Sequence, residues 1–84
     1  MKITVYSTKT CVFCNKLKNW LQENNLEFTE YSVDINPIAA QHMVNLSGQM
    51  GVPFSVIEKE NGTTVNILGF DRPRFQSELG VAAA

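Results

Sequence analysis

The chain opens on a two-residue alternation. Ile3 and Val5 are apolar, Lys2 and Thr4 are polar, and this is the period of a half-buried strand over residues 2–6. The period then lengthens. Phe13, Leu17, Trp20 and Leu21 recur at helical spacing within Val12–Glu23, with Lys16, Lys18, Asn19 and Glu23 on the other side. The polar loop Ser7-Thr8-Lys9-Thr10 is suited to cap that helix, and Asn24-Asn25 ends it. Tyr31, Val33 and Ile35 alternate again, predicting a second strand over residues 27–35. Strand, helix and strand make a βαβ unit, whose strands should be parallel neighbours joined by a right-handed crossover.

Asn36-Pro37 opens a second helix, a capping residue followed by proline in the first turn. Ile38, Ala39, Met43 and Leu46 supply its apolar face, and Gly48 fits its C-terminal stop. Gln49-Met50-Gly51-Val52-Pro53 is a loop into a third strand over 54–57. Asn61-Gly62 is the strongest hairpin signal in the chain and leads to a fourth strand over 63–68. Gly69-Phe70-Asp71-Arg72-Pro73 then turns into a last helix, with Asp71 as its cap and Phe75 and Leu79 on its inner face. The order βαβαββα predicts an α/β fold, a four-stranded mixed sheet flanked by three helices. One domain is expected over residues 1–80, with 81–84 as a frayed end.

Composition narrows the function. Seven basic and eight acidic residues give a formal net charge of −1, which offers no basic footprint for nucleic acid. No apolar run approaches the length of a membrane span, and the start of the chain does not read as a signal peptide. A cytoplasmic monomer is the expectation. His42 is a lone helical histidine and is given no catalytic role.

Both cysteines of the chain, Cys11 and Cys14, lie at the junction of the first strand and the first helix. A helix start presents unpaired N–H groups and the positive end of its dipole. A sulfur placed there ionises more readily, and the thiolate is the reactive species. Lys9 adds a nearby cation. Cys11, at the mouth of the helix, is the expected attacking thiol, and Cys14, one turn further in, its resolving partner. A purely structural disulfide is the plainer reading, but so short a loop removes little chain entropy, well under the ~3 kcal/mol of a loop of about 15 residues. Half of a zinc site is another, but a second Cys-x-x-Cys is missing. No metal site is expected. A Cys-x-x-Cys in a βαβ setting reads as redox chemistry.

Three stretches in this order resemble the thioredoxin superfamily and, in size and detail, the glutaredoxins. They are Cys11-Val12-Phe13-Cys14, then Ser47-Gly48-Gln49-Met50-Gly51-Val52-Pro53, then Gly69-Phe70-Asp71. Gly51-Val52-Pro53 looks like the family's Thr-Val-Pro. The resemblance implies a thioredoxin-like fold and a role for each matching residue. Pro53 would be a cis proline facing the cysteines. Val52 would offer its backbone to an incoming peptide or glutathione as one rung of a ladder. Lys9 would meet a substrate carboxylate, and Phe13 would line the rim of the thiol. Gly69, Phe70 and Asp71 would form a helix start that takes the γ-glutamyl end of glutathione.

The departures are equally specific. The family's usual Cys-Pro-Tyr-Cys is Cys-Val-Phe-Cys here, its double glycine is Leu68-Gly69, and its second acidic turn residue is Arg72. Gly69-Phe70-Asp71-Arg72-Pro73 is similar, with one extra residue, to the Gly-Phe-Arg-Pro turn of the glutaredoxin-like electron donors of ribonucleotide reductase. Those donors also carry Val after the first cysteine and are recharged by thioredoxin reductase. The expectation is a small dithiol oxidoreductase that binds no cofactor, takes glutathione as co-substrate and reduces disulfide-containing proteins or glutathione mixed disulfides. Two alternatives stand beside it: a hydrogen donor to ribonucleotide reductase fed by thioredoxin reductase, and a carrier of an iron–sulfur cluster bridging two chains.

Overall fold

The computed structural model describes residues 1–81. The end expected to fray over 81–84 lies, from residue 82 on, outside the described residues. The elements run β1 (Lys2–Ser7), α1 (Val12–Glu23), β2 (Thr29–Ser32), α2 (Pro37–Ser47), β3 (Phe54–Glu58), β4 (Thr64–Leu68) and α3 (Arg72–Leu79). The sheet order is β2-β1-β3-β4. β1 and β2 are parallel, as the intervening helix requires, and β3 is antiparallel to both β1 and β4. The hairpin turns at Gly62, whose φ of 87° suits a residue without Cβ.

Alternation along the strands divides the core between the two faces of the sheet. On one face Ile3, Val5, Ile57 and Ile67 pack with Leu17, Trp20 and Leu21 of α1 and Phe75 of α3. On the other, Tyr6, Phe54 and Val56 pack with Ala39 and Met43 of α2. A strand buried on both faces, such as β3, therefore reads as a nearly continuous apolar run.

Four details depart from the sequence pattern. β2 is four residues, shorter than 27–35, because its partner β1 ends at Ser7 and the ladder stops at Ser7 opposite Ser32. The chain leaves by a turn in which Ile35 N–H donates to Ser32 C=O at 3.2 Å. The inward stripe of α1 starts at Cys14 rather than Phe13, which is turned about 100° from it around the helix and is 60% exposed. Lys18 is half-buried rather than on a fully solvated face. In α2 only Ala39 and Met43 face the sheet; Ile38 and Leu46 are exposed because the helix meets the sheet along a narrower line than its apolar residues span.

Each helix start carries a side-chain cap. Asn36 Oδ1 accepts Ala39 N–H at 3.1 Å, and Asp71 Oδ1 accepts Arg74 N–H at 3.3 Å. Such caps satisfy donors that the helix itself cannot. At α1 the capping atom is the sulfur of Cys11.

Candidate functional site

Cys11 Sγ accepts the backbone N–H of Cys14 at 3.1 Å. This is the bond that a serine or aspartate makes at other helix starts, here made by a sulfur. The geometry follows from local sequence. Ser7 ends β1, a polar turn follows, and Cys11 adopts extended dihedrals before the helix begins at Val12. Cys11 is half-buried and Cys14 fully buried, and both are free thiols. A reagent therefore meets Cys11 first.

Val52 closes the other side. Its carbonyl oxygen lies 4.0 Å from Cys11 Sγ, and the peptide bond that follows, to Pro53, is cis. Pro53 is buried, and its C=O accepts the N–H of Gly69 at 2.7 Å. That bond ties the start of α3 to the loop beside the cysteines, so three segments distant in sequence are brought to one place. Gly69 has φ 79°, the left-handed conformation that glycine adopts freely.

The remaining expected site residues are placed as follows. Phe13 is exposed, with Lys16 Nζ 5.4 Å from its ring centroid. Lys9 is exposed, and its backbone N–H donates to Asp34 Oδ2 at 3.3 Å. Asp71 is exposed, but its carboxylate is engaged as the cap of α3. Phe70 turns inward, with its ring centroid 6.0 Å from that of Trp20 and 6.1 Å from that of Phe75. Among the described residues no three His, Cys, Asp or Glu side chains gather as a metal site would need.

Burial pushes the Cys14 thiol up to about 12, helped by its hydrogen bond with Cys11. The backbone of Thr8 and the ammonium of Lys18 pull the other way. One turn along α1 from Cys14, Lys18 belongs to a network that the motif alone does not announce. Lys18 Nζ donates to Glu30 Oε2 at 2.7 Å, and Ser7 Oγ donates to the same oxygen at 2.6 Å. These two bonds hold the Glu30 carboxyl below its usual range. Its signal in the sequence was the spacing of four residues from Cys14 to Lys18; the partner on β2 required the fold.

Fold and site together define a small dithiol protein of the thioredoxin-like class. A family model described as glutaredoxin matches residues 3–60, and the chain belongs to the glutaredoxin family. It is 39% identical over 51 residues to an uncharacterized glutaredoxin-like 8.6 kDa protein of the rubredoxin operon of Clostridium pasteurianum, covering 61% of this chain and 68% of that one. It is 34% identical over 41 residues to the global transcriptional regulator Spx 1 of Bacillus cereus, where the match covers 49% of this chain but only 31% of the relative. The solved structure of the glutaredoxin-like protein NrdH-redoxin from Escherichia coli, described for its thioredoxin-like activity profile, superposes with a TM-score of 0.74 at 27% identity. That superposition covers 100% of this chain and 99% of the other.

Proposed function

We propose that this protein is a dithiol–disulfide oxidoreductase in which Cys11 attacks and Cys14 resolves. The observation that carries the reading is the pair itself: an accessible sulfur at a helix cap and a buried one a turn behind it. Cys11, as thiolate, attacks one sulfur of a substrate disulfide, and the other substrate sulfur leaves with the electron pair and takes up a proton. Cys14 then loses its proton and attacks Cys11 Sγ. The substrate's second sulfur is released as a thiol and the Cys11–Cys14 disulfide remains. Val52, beside Cys11, presents the backbone groups that hold an extended substrate segment.

The electron source we propose is a flavoprotein thioredoxin reductase, and the substrates are disulfide-bearing proteins, with ribonucleotide reductase among the candidates. Two features support this over glutathione. Val12 (63%), Phe13 (60%), Met50 (69%) and Leu68 (57%) are exposed apolar side chains on the segments that flank Cys11. Exposed apolar side chains of this kind suit contact with another protein better than with a small charged tripeptide. The likeness to NrdH-redoxin over the whole chain points the same way.

The test gives the protein and a disulfide-bearing protein substrate NADPH in two separate reactions, one with thioredoxin reductase and one with glutathione and glutathione reductase. Catalytic NADPH consumption in the first reaction and little in the second is expected. The reverse pattern refutes the proposed electron source, and no turnover in either refutes the dithiol cycle.

A further inference from the structure

The resolving step sets a problem that the two cysteines do not solve. Cys14 is wholly buried, and an apolar site disfavours the charged thiolate that must form before it can attack. Once Cys11 is joined to a substrate sulfur, the hydrogen bond and negative charge by which it held the Cys14 proton are gone, but the burial remains. Some other group must favour the anion.

The groups around Cys14 are few. On its own helix they are Cys11 and Lys18. From the β1 side come the neutral backbone of Thr8 and the buried, neutral Ser7. From β2 comes Glu30, which acts through Lys18. Lys18 follows Cys14 by four residues and lies one turn on along the same helix face, with Cβ atoms about 5–6 Å apart. Its side chain is only 21% exposed, whereas most lysines reach for water. Glu30 Oε2 holds it there at 2.7 Å, and the same oxygen is itself fixed by Ser7 at 2.6 Å. An ordinary surface ion pair contributes little to stability. This one fixes a cation on the helix face that carries the sulfur that must ionise.

We propose that Lys18, held by Glu30 and through it by Ser7, is a positioning residue for the resolving step, its ammonium supplying the field in which Cys14 gives up its proton. The Cys14 proton passes to solvent, the Cys14 thiolate attacks Cys11 Sγ, and the departing sulfur carries off the electron pair. This inference rests on the dithiol reading above, and the experiment separates the two.

The reduced protein is mixed with dithiobis-nitrobenzoate at several concentrations in a stopped-flow instrument, and the resolving step is the phase whose rate does not change with reagent concentration. Attack by Cys11 releases one coloured thiol; resolution by Cys14 releases a second and leaves the intramolecular disulfide. The readout is the rate of the second phase relative to the first, across pH. Lys18→Met is expected to slow the second phase about tenfold relative to the first near neutral pH and to move its pH midpoint up by about one unit. Lys18→Arg, which keeps the charge and can still meet Glu30, is expected to restore both. Lys18→Gln gives the same reading should the methionine variant not fold. A second phase within twofold of the parent with an unmoved midpoint overturns the proposal, and so does equal slowing by the arginine variant. A parent that releases only one equivalent overturns the dithiol reading, and this inference with it.

Discussion

Replacing Cys14 should change how stability depends on alkaline pH. In the reduced native protein Cys14 holds its proton up to about 12, against an ordinary value of 9.0, because burial penalises the thiolate. The unfolded chain releases that proton near the ordinary value. Between the two, the native state binds more protons than the unfolded state, so stability falls as pH rises. The contribution is intact below about pH 9, declines through the window and is fully lost only near pH 12. Each pH unit inside the window costs about 1.4 kcal/mol, so roughly 2 kcal/mol is gone by about pH 10.5. A chain of this size has only a few kcal/mol to some 12 kcal/mol of stability in all, so the loss is large. The assay is urea unfolding of the reduced protein between pH 7 and 10.5, with Cys14→Ala as the control that removes this titration alone. Tyr6, whose hydroxyl is also pushed up by burial, adds a decline of the same sign. It is present in both proteins and cancels in the difference. Parallel pH profiles for parent and Cys14→Ala would show that the buried sulfur does not retain its proton, and the reasoning about its environment would fail.

Two further outcomes follow from the structure. Cys14→Ser should accumulate a mixed disulfide on Cys11, visible by mass as a stable adduct with the substrate thiol, while Cys11→Ser should lose disulfide exchange; a Cys11→Ser protein working at the parent rate would reverse the assignment of the nucleophile. Asn36→Ala removes the cap on α2, whose Oδ1 accepts Ala39 N–H at 3.1 Å, and should cost about 1 kcal/mol in urea unfolding, whereas a change under 0.3 kcal/mol would mean that water replaces the cap without loss.

Much of this fold was legible because local physics and tertiary packing agree. The alternation at Ile3 and Val5, the cap Asn36 before Pro37, the Asn61-Gly62 turn and the cap Asp71 each specify an element without help from distant residues. The pattern misled where apolar character outran burial. Phe13, Ile38 and Leu46 carry the spacing of a core face and stand in solvent. Periodicity reports which residues share a side of a helix, not how wide the contact beneath it is.

The order of strands and helices, and a cysteine pair at the mouth of a helix, were settled by the amino-acid sequence alone, since hydrophobic period, caps and turns act over a few residues. What surrounds that pair was decided only in three dimensions. Val52 meets Cys11 across 41 positions, the C=O of Pro53 accepts the N–H of Gly69, and Lys18 finds Glu30 on a neighbouring strand. Such contacts depend on sheet order and register, which bring distant residues together and which no local pattern encodes.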